Sequence, residues 1–142
     1  MTISKQEFYE GAALHQLSHE GAVSIARMPP FFVLNERLCA LLKYCTKART
    51  PWNFTFTASE QQLLSQKAAT TELVLGLICG DDGIAALGTA EYFSIASACE
   101  AAVHIACFRG RGEHYEIRGP DGTLAGKIPP SRWRRLLKDS AV

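Results

Sequence analysis

The chain has 142 residues, 47% of them apolar and 20% charged, with a formal net charge of +1. That balance is globular and excludes a disordered segment, and no apolar run approaches the ~20 residues of a membrane helix. The opening MTISKQEFYEG lacks the basic and apolar regions of a signal peptide, so none is expected.

The length fits one domain, residues 1–142, built on one core. Five cysteines, Cys39, Cys45, Cys79, Cys99 and Cys107, form no C-x-x-C pair and lie mostly in apolar segments. Buried thiols in a reducing, cytoplasmic setting are the expectation, rather than a disulfide framework or a zinc site. Charge is uneven: residues 1–103 hold 7 Lys/Arg and 10 Asp/Glu, whereas residues 104–142 hold 8 and 4. A basic end of this kind either attracts phosphate or is a solvated surface with a cationic last helix.

Tyr9, Ala13 and Leu17 recur at helical spacing and predict a helix over Lys5–Ser18, stopped near Gly21. Strands follow at Ala22–Met28, ended by Pro29-Pro30, and at Phe31–Leu34. Asn35-Glu36-Arg37 reads as a turn, because Asn tolerates left-handed angles. Leu38–Cys45 is apolar at odd and even positions, as a strand covered on both faces should be. Residues 46–52 form a basic loop, and Asn53–Thr57 alternates like a short edge strand. Ser59 with Gln62 resembles a capping box for a helix ending near Ala68. ELVLGLIC, Glu72–Cys79, reads as a central strand, Gly80–Gly83 as a tight turn and Ile84–Leu87 as the return. Thr89 is the expected cap of a helix reaching about Ala98, and Ala102–Phe108 is a further buried strand. His114–Arg118 and Thr123–Ile128 flank a Gly-Pro-Asp-Gly turn, and Ser131 caps a last helix from Arg132 to Asp139. The fold class is α/β, a mixed sheet flanked by helices with a C-terminal hairpin and helix.

The order helix, three strands, helix, strand, with LCALLKY as the third strand, resembles the core of the PD-(D/E)XK, or restriction-endonuclease-like, superfamily over roughly residues 5–87. The resemblance implies a magnesium site of two strand carboxylates, a lysine two residues after the second, and often a glutamate from the first helix. Lys43 matches the lysine. Leu41 stands where the second carboxylate belongs, and Leu cannot ligate magnesium. For the first acid, Asn35 is the nearest polar residue, since Phe31–Leu34 are all apolar. Glu10, or Glu7 one turn earlier, matches the helical glutamate. The resemblance thus implies a degenerate member with no cofactor; Mg2+ enters only for an active, divergent nuclease using Glu10, Asn35 or Glu36, and Lys43.

Lys43 either contacts phosphate, pairs with Glu10, or snorkels to solvent at the strand end. Lys47 and Arg49, followed by Trp52, either track a phosphate backbone and stack a base or anchor a loop. Arg109 and Arg111 between glycines, Arg118, and Arg134 in the final basic run are the strongest phosphate-binding signal. His15 and His19 lack a third ligand, and His104 in AVHIAC is expected to be a core histidine. Three functions remain open: a non-catalytic nuclease-like domain associated with nucleic acid, a protein-interaction or regulatory domain, and a divergent nuclease. Nucleic acid and a protein are both possible partners, a membrane is not expected, and the oligomeric state is open.

Overall fold

Ser4 opens α1 (Lys5–Leu17). Its hydroxyl accepts the Glu7 N–H at 3.1 Å, and the Glu7 carboxylate accepts the Ser4 N–H at 3.0 Å, so two orphan donors of the first turn are satisfied. The computed structural model describes residues 2–97 and 100–139. After a 3-10 turn at Ser18–Glu20 come β1 (Ile25–Met28) and β2 (Phe31–Leu34), an antiparallel hairpin. β1 is shorter than the expected Ala22–Met28 because its only neighbour, β2, has four residues and pairs no further than Ile25–Leu34. Asn35 and Glu36 take φ of 52° and 58°, the left-handed turn the sequence called for, and deliver the chain into β3 (Leu38–Cys45).

β3 is antiparallel to β2 on one side and parallel to β5 (Leu73–Cys79) on the other; β6 (Gly83–Gly88) returns antiparallel to β5. The sheet order is β1-β2-β3-β5-β6. The parallel step from β3 to β5 needs a crossover, and α2 (Ala58–Thr70) provides it. Its cap is Thr57, not Ser59: the Thr57 hydroxyl accepts the Glu60 N–H at 3.1 Å, and the Glu60 carboxylate accepts the Thr57 N–H at 2.9 Å.

The expectation of one sheet is corrected to two. β4 (Trp52–Phe56) leaves the first sheet and pairs with β7 (Val103–Phe108), which continues to β8 (Glu116–Gly119) and β9 (Gly122–Thr123). The register sets Trp52, Phe54 and Phe56 opposite Cys107, Ile105 and Val103. These alternate positions make one apolar face, which packs over the first sheet while the other face meets solvent. His104 therefore points outward; it is an exposed residue with Nδ1 3.1 Å from Thr55 Oγ1, not a core histidine. α3 (Thr89–Ile95) starts at Gly88, whose N–H the Glu91 carboxylate accepts at 3.0 Å; Ala98, its expected end, and Cys99 lie outside the described residues.

Both faces of the first sheet are covered. One packs against α2, α3 and the second sheet; the other packs against α1 through Ala13 and Leu17. The C-terminal segment joins the two layers. Ile128 lies in the first cluster and Trp133 in the second, and between them Arg132 reaches the Ala86 carbonyl of β6 and the Glu91 carboxylate. Trp133 is fully buried and donates its indole N–H to the Ala13 carbonyl at 2.9 Å. The last helix is shorter than expected: residues 131–135 form turns, and α4 covers only Leu136–Asp139. No helix is long and apolar enough to cross a membrane among the described residues.

Candidate functional site

A cleft of about 360 Å³ opens where β2 stops short of the end of β3. The paired register between them runs from Leu34–Leu38 to Phe32–Ala40; one residue further on, beyond Phe31, β2 ends at the Pro29-Pro30 corner, and Pro30 has no N–H to continue it. Glu10, Arg27, Phe31, Leu41, Lys43 and Glu60 all contribute to its walls.

Lys43 is half-buried, and its partner is Glu60 rather than Glu10. Nζ lies 2.6 Å from Glu60 Oε2, donates to the Thr55 carbonyl at 3.0 Å and sits 5.0 Å from the centre of the Phe56 ring. Burial pushes the Glu60 carboxyl up, but hydrogen bonds from Lys43 and the Thr57 backbone outweigh it and hold it below the ordinary value. Glu60 was missed in the sequence, although Thr57-x-x-Glu60 is itself a capping-box pattern. Glu10 borders the same cleft from α1, where its carboxylate accepts from Gln6 Nε2 at 3.1 Å. Asn35 does not join them. It caps the β2–β3 turn, accepting the Ser24 N–H at 2.9 Å, and eight residues of β3 separate that end from Cys45, roughly 20 Å of strand.

The pairing Phe32–Ala40 sets Phe31 across from Leu41, and each is 4% exposed in the same core cluster. Where magnesium would need oxygen ligands beside Lys43, the chain presents a phenyl ring and an isobutyl group. Among the described residues no three His, Cys, Asp or Glu side chains converge to hold a metal ion. The residues beside Lys43 do not fit a magnesium site.

The basic candidates divide by position. Lys47 and Arg49 are exposed on the loop 46–51. Trp52 is 2% exposed; its indole N–H donates to the Lys47 carbonyl at 2.9 Å and its ring meets Tyr115 edge-on, so it pins this loop and offers no face to a base. The Arg109 N–H donates to Thr50 Oγ1 at 3.3 Å, which sets the loop 109–114 beside the loop 46–51. Arg109 is held by its neighbours: Nη1 lies 2.9 Å from Asp82 Oδ2, Nε donates to the Glu113 carbonyl, and the guanidinium lies over Tyr115. The Tyr115 hydroxyl donates to the same Asp82 oxygen at 2.6 Å, and burial first, then that bond, pushes its phenol up. Arg111 is exposed on this loop.

Lys47, Arg49, Arg109 and Arg111 thus gather at the carboxyl ends of the parallel strands β3 and β5. Arg118 stands apart, bound to Glu116 at 2.8 Å and lying over Phe108. Arg134 is further away still, beside Leu17, Glu20 and Asn35 at the other end of β3. His15 of α1 and His19 of the following 3-10 turn, both exposed, meet edge to face. Cys39, Cys79 and Cys107 are buried free thiols and Cys45 is half-buried; a hydrogen bond with Cys107, then burial, pushes the Cys79 thiol far up. No family model, curated protein or solved structure matches the chain.

Proposed function

We propose that this chain is a non-catalytic, nuclease-like domain that associates with nucleic acid through the loops 46–51 and 109–114. The observation that carries the reading is the hydrogen bond from the Arg109 N–H to Thr50 Oγ1, which joins two basic loops distant in sequence into one surface bearing Lys47, Arg49 and Arg111. Ligands of open α/β sheets favour this position, beyond the carboxyl ends of parallel strands. Two further features support the nuclease-like, non-catalytic part. Within the first sheet, leaving aside β4, the meander β1-β2-β3 and the helical crossover to parallel β5 follow the order that the resemblance implies. Phe31 and Leu41 beside Lys43 support the non-catalytic part, since apolar groups stand where the resemblance needs metal ligands.

A titration against short single- and double-stranded DNA and RNA, at low and moderate salt with magnesium present, tests the proposal when the same samples are run on a denaturing gel. Binding that weakens steeply with salt, without cleavage, is the expected result, because bound phosphates release counterions. Magnesium-dependent cleavage lost in Lys43→Ala would replace it with the divergent-nuclease reading. A second reading, a protein-interaction domain, is favoured by β1, an edge strand whose four residues are all exposed. Absence of binding at low salt selects it.

A further inference from the structure

A groove of about 310 Å³ runs between α1 and the β5–β6 turn, with Tyr9 and Ala12 on one wall and Ile78 and Ile84 on the other. Phe8 stands at this groove with 62% of its surface exposed, an unusual setting for a phenyl ring. Lys5 lies one turn before Phe8 on the same side of α1. Gly80 forms part of the groove and touches the basic loop: its N–H donates to the Cys45 carbonyl at 2.8 Å, and a side chain there would collide with the Lys47 carbonyl. The groove, with Phe8 at its edge, therefore lies next to the start of the Lys47–Arg49 loop. Asp81 also borders the groove, so a phosphate backbone is repelled there and drawn toward Lys47.

Resting on the nucleic-acid reading, we infer that the ligand is single-stranded, with its phosphates on Lys47, Arg49 and Arg111 and one base entering the groove against Phe8. A stacked duplex offers no free base face to Phe8, whereas every unpaired base does, so the contact selects strandedness and tolerates sequence. With Trp52 buried, Phe8 has the largest fractional exposure among the described Phe, Tyr and Trp rings.

Fluorescence anisotropy tests this with a labelled oligothymidine, its duplex with oligoadenine, and an abasic oligomer of the same length. The oligothymidine is expected to bind most tightly. Phe8→Ala should weaken it at least about fivefold, the lower end for loss of one stacked base. The same substitution should leave the duplex and the abasic oligomer unchanged, and Phe8→Trp should restore binding. Phe8 is exposed, so neither variant threatens folding. A duplex bound as tightly as the single strand, or an equal effect of Phe8→Ala on the abasic oligomer, overturns the inference alone. No binding of any probe at low salt overturns the nucleic-acid reading with it.

Discussion

Lys43 Nζ and Glu60 Oε2 lie 2.6 Å apart, joining β3 to the first turn of α2 across the cleft. Both side chains keep about a quarter of their surface in solvent, so the pair is screened and is worth roughly 1 kcal/mol at most. Glu60 also caps α2, and that second role makes it the more consequential partner. Glu60→Ala is expected to cost about 1–2 kcal/mol in urea unfolding and Lys43→Ala less. Equal losses would mean that the cap contributes nothing.

The same carboxylate predicts an acid dependence. The folded chain holds Glu60 below its ordinary value of 4.5, so the unfolded chain binds the proton more readily. Its contribution is present above 4.5 and is lost as pH falls through the depressed folded value. Urea midpoints measured across that acid range should fall less for Glu60→Gln than for the wild type.

At the alkaline end the sign is reversed in pH but not in logic. Burial holds Tyr92 and Tyr115 protonated above the ordinary phenol value of 10.0, and Tyr115 is further raised by its bond to Asp82. The folded state keeps protons that the unfolded state releases, so stability is full below 10.0 and declines as pH rises beyond it. A Tyr92→Phe/Tyr115→Phe variant, which removes the hydroxyls that donate to Gln61 Oε1 and Asp82 Oδ2, should show a shallower decline in its urea midpoint, alongside a loss near neutrality of roughly 1 kcal/mol per hydrogen bond.

Trp133 is the keystone of the α1 layer. Its ring fills the space above Gly76, where an added Cβ would lie 2.9 Å from it, and its N–H satisfies Ala13. Trp133→Ala is expected to cost about 3–5 kcal/mol, by cavity formation and the orphaned carbonyl. Gly76→Ala, which overpacks the same place, should cost roughly 1–3 kcal/mol. Chemical unfolding measures both, and a Trp133→Ala loss near that of a surface substitution would show that the C-terminal segment does not anchor the layer.

The basic residues should separate by location. Lys47→Ala, Arg49→Ala and Arg111→Ala are each expected to reduce the salt slope of nucleic-acid binding by roughly one phosphate contact. Arg134→Ala, at the other end of β3, should leave it unchanged. A comparable effect of Arg134→Ala would move the interface off the paired loops.

The sequence by itself determined the α/β class, the doubly covered strand β3, the central strand β5, the left-handed turn at Asn35 and the order of the main elements. These follow from short-range causes: apolar periodicity, turn chemistry and chain breakers act within a few residues. The caps were not placed by sequence: Thr57 rather than Ser59 caps α2, Gly88 rather than Thr89 precedes α3, and Ser131 opens turns instead of a helix. Only the tertiary structure decided that β4 joins a second sheet, that Lys43 meets Glu60, that Asp82 and Tyr115 hold Arg109, and that His104 faces water. Each depends on which distant strand supplies the neighbour and in which register, because a strand's alternation marks an apolar face without naming what covers it. The groove at Phe8 was illegible for the same reason: its walls are a helix and a turn some seventy residues apart, and neither alone encloses a space.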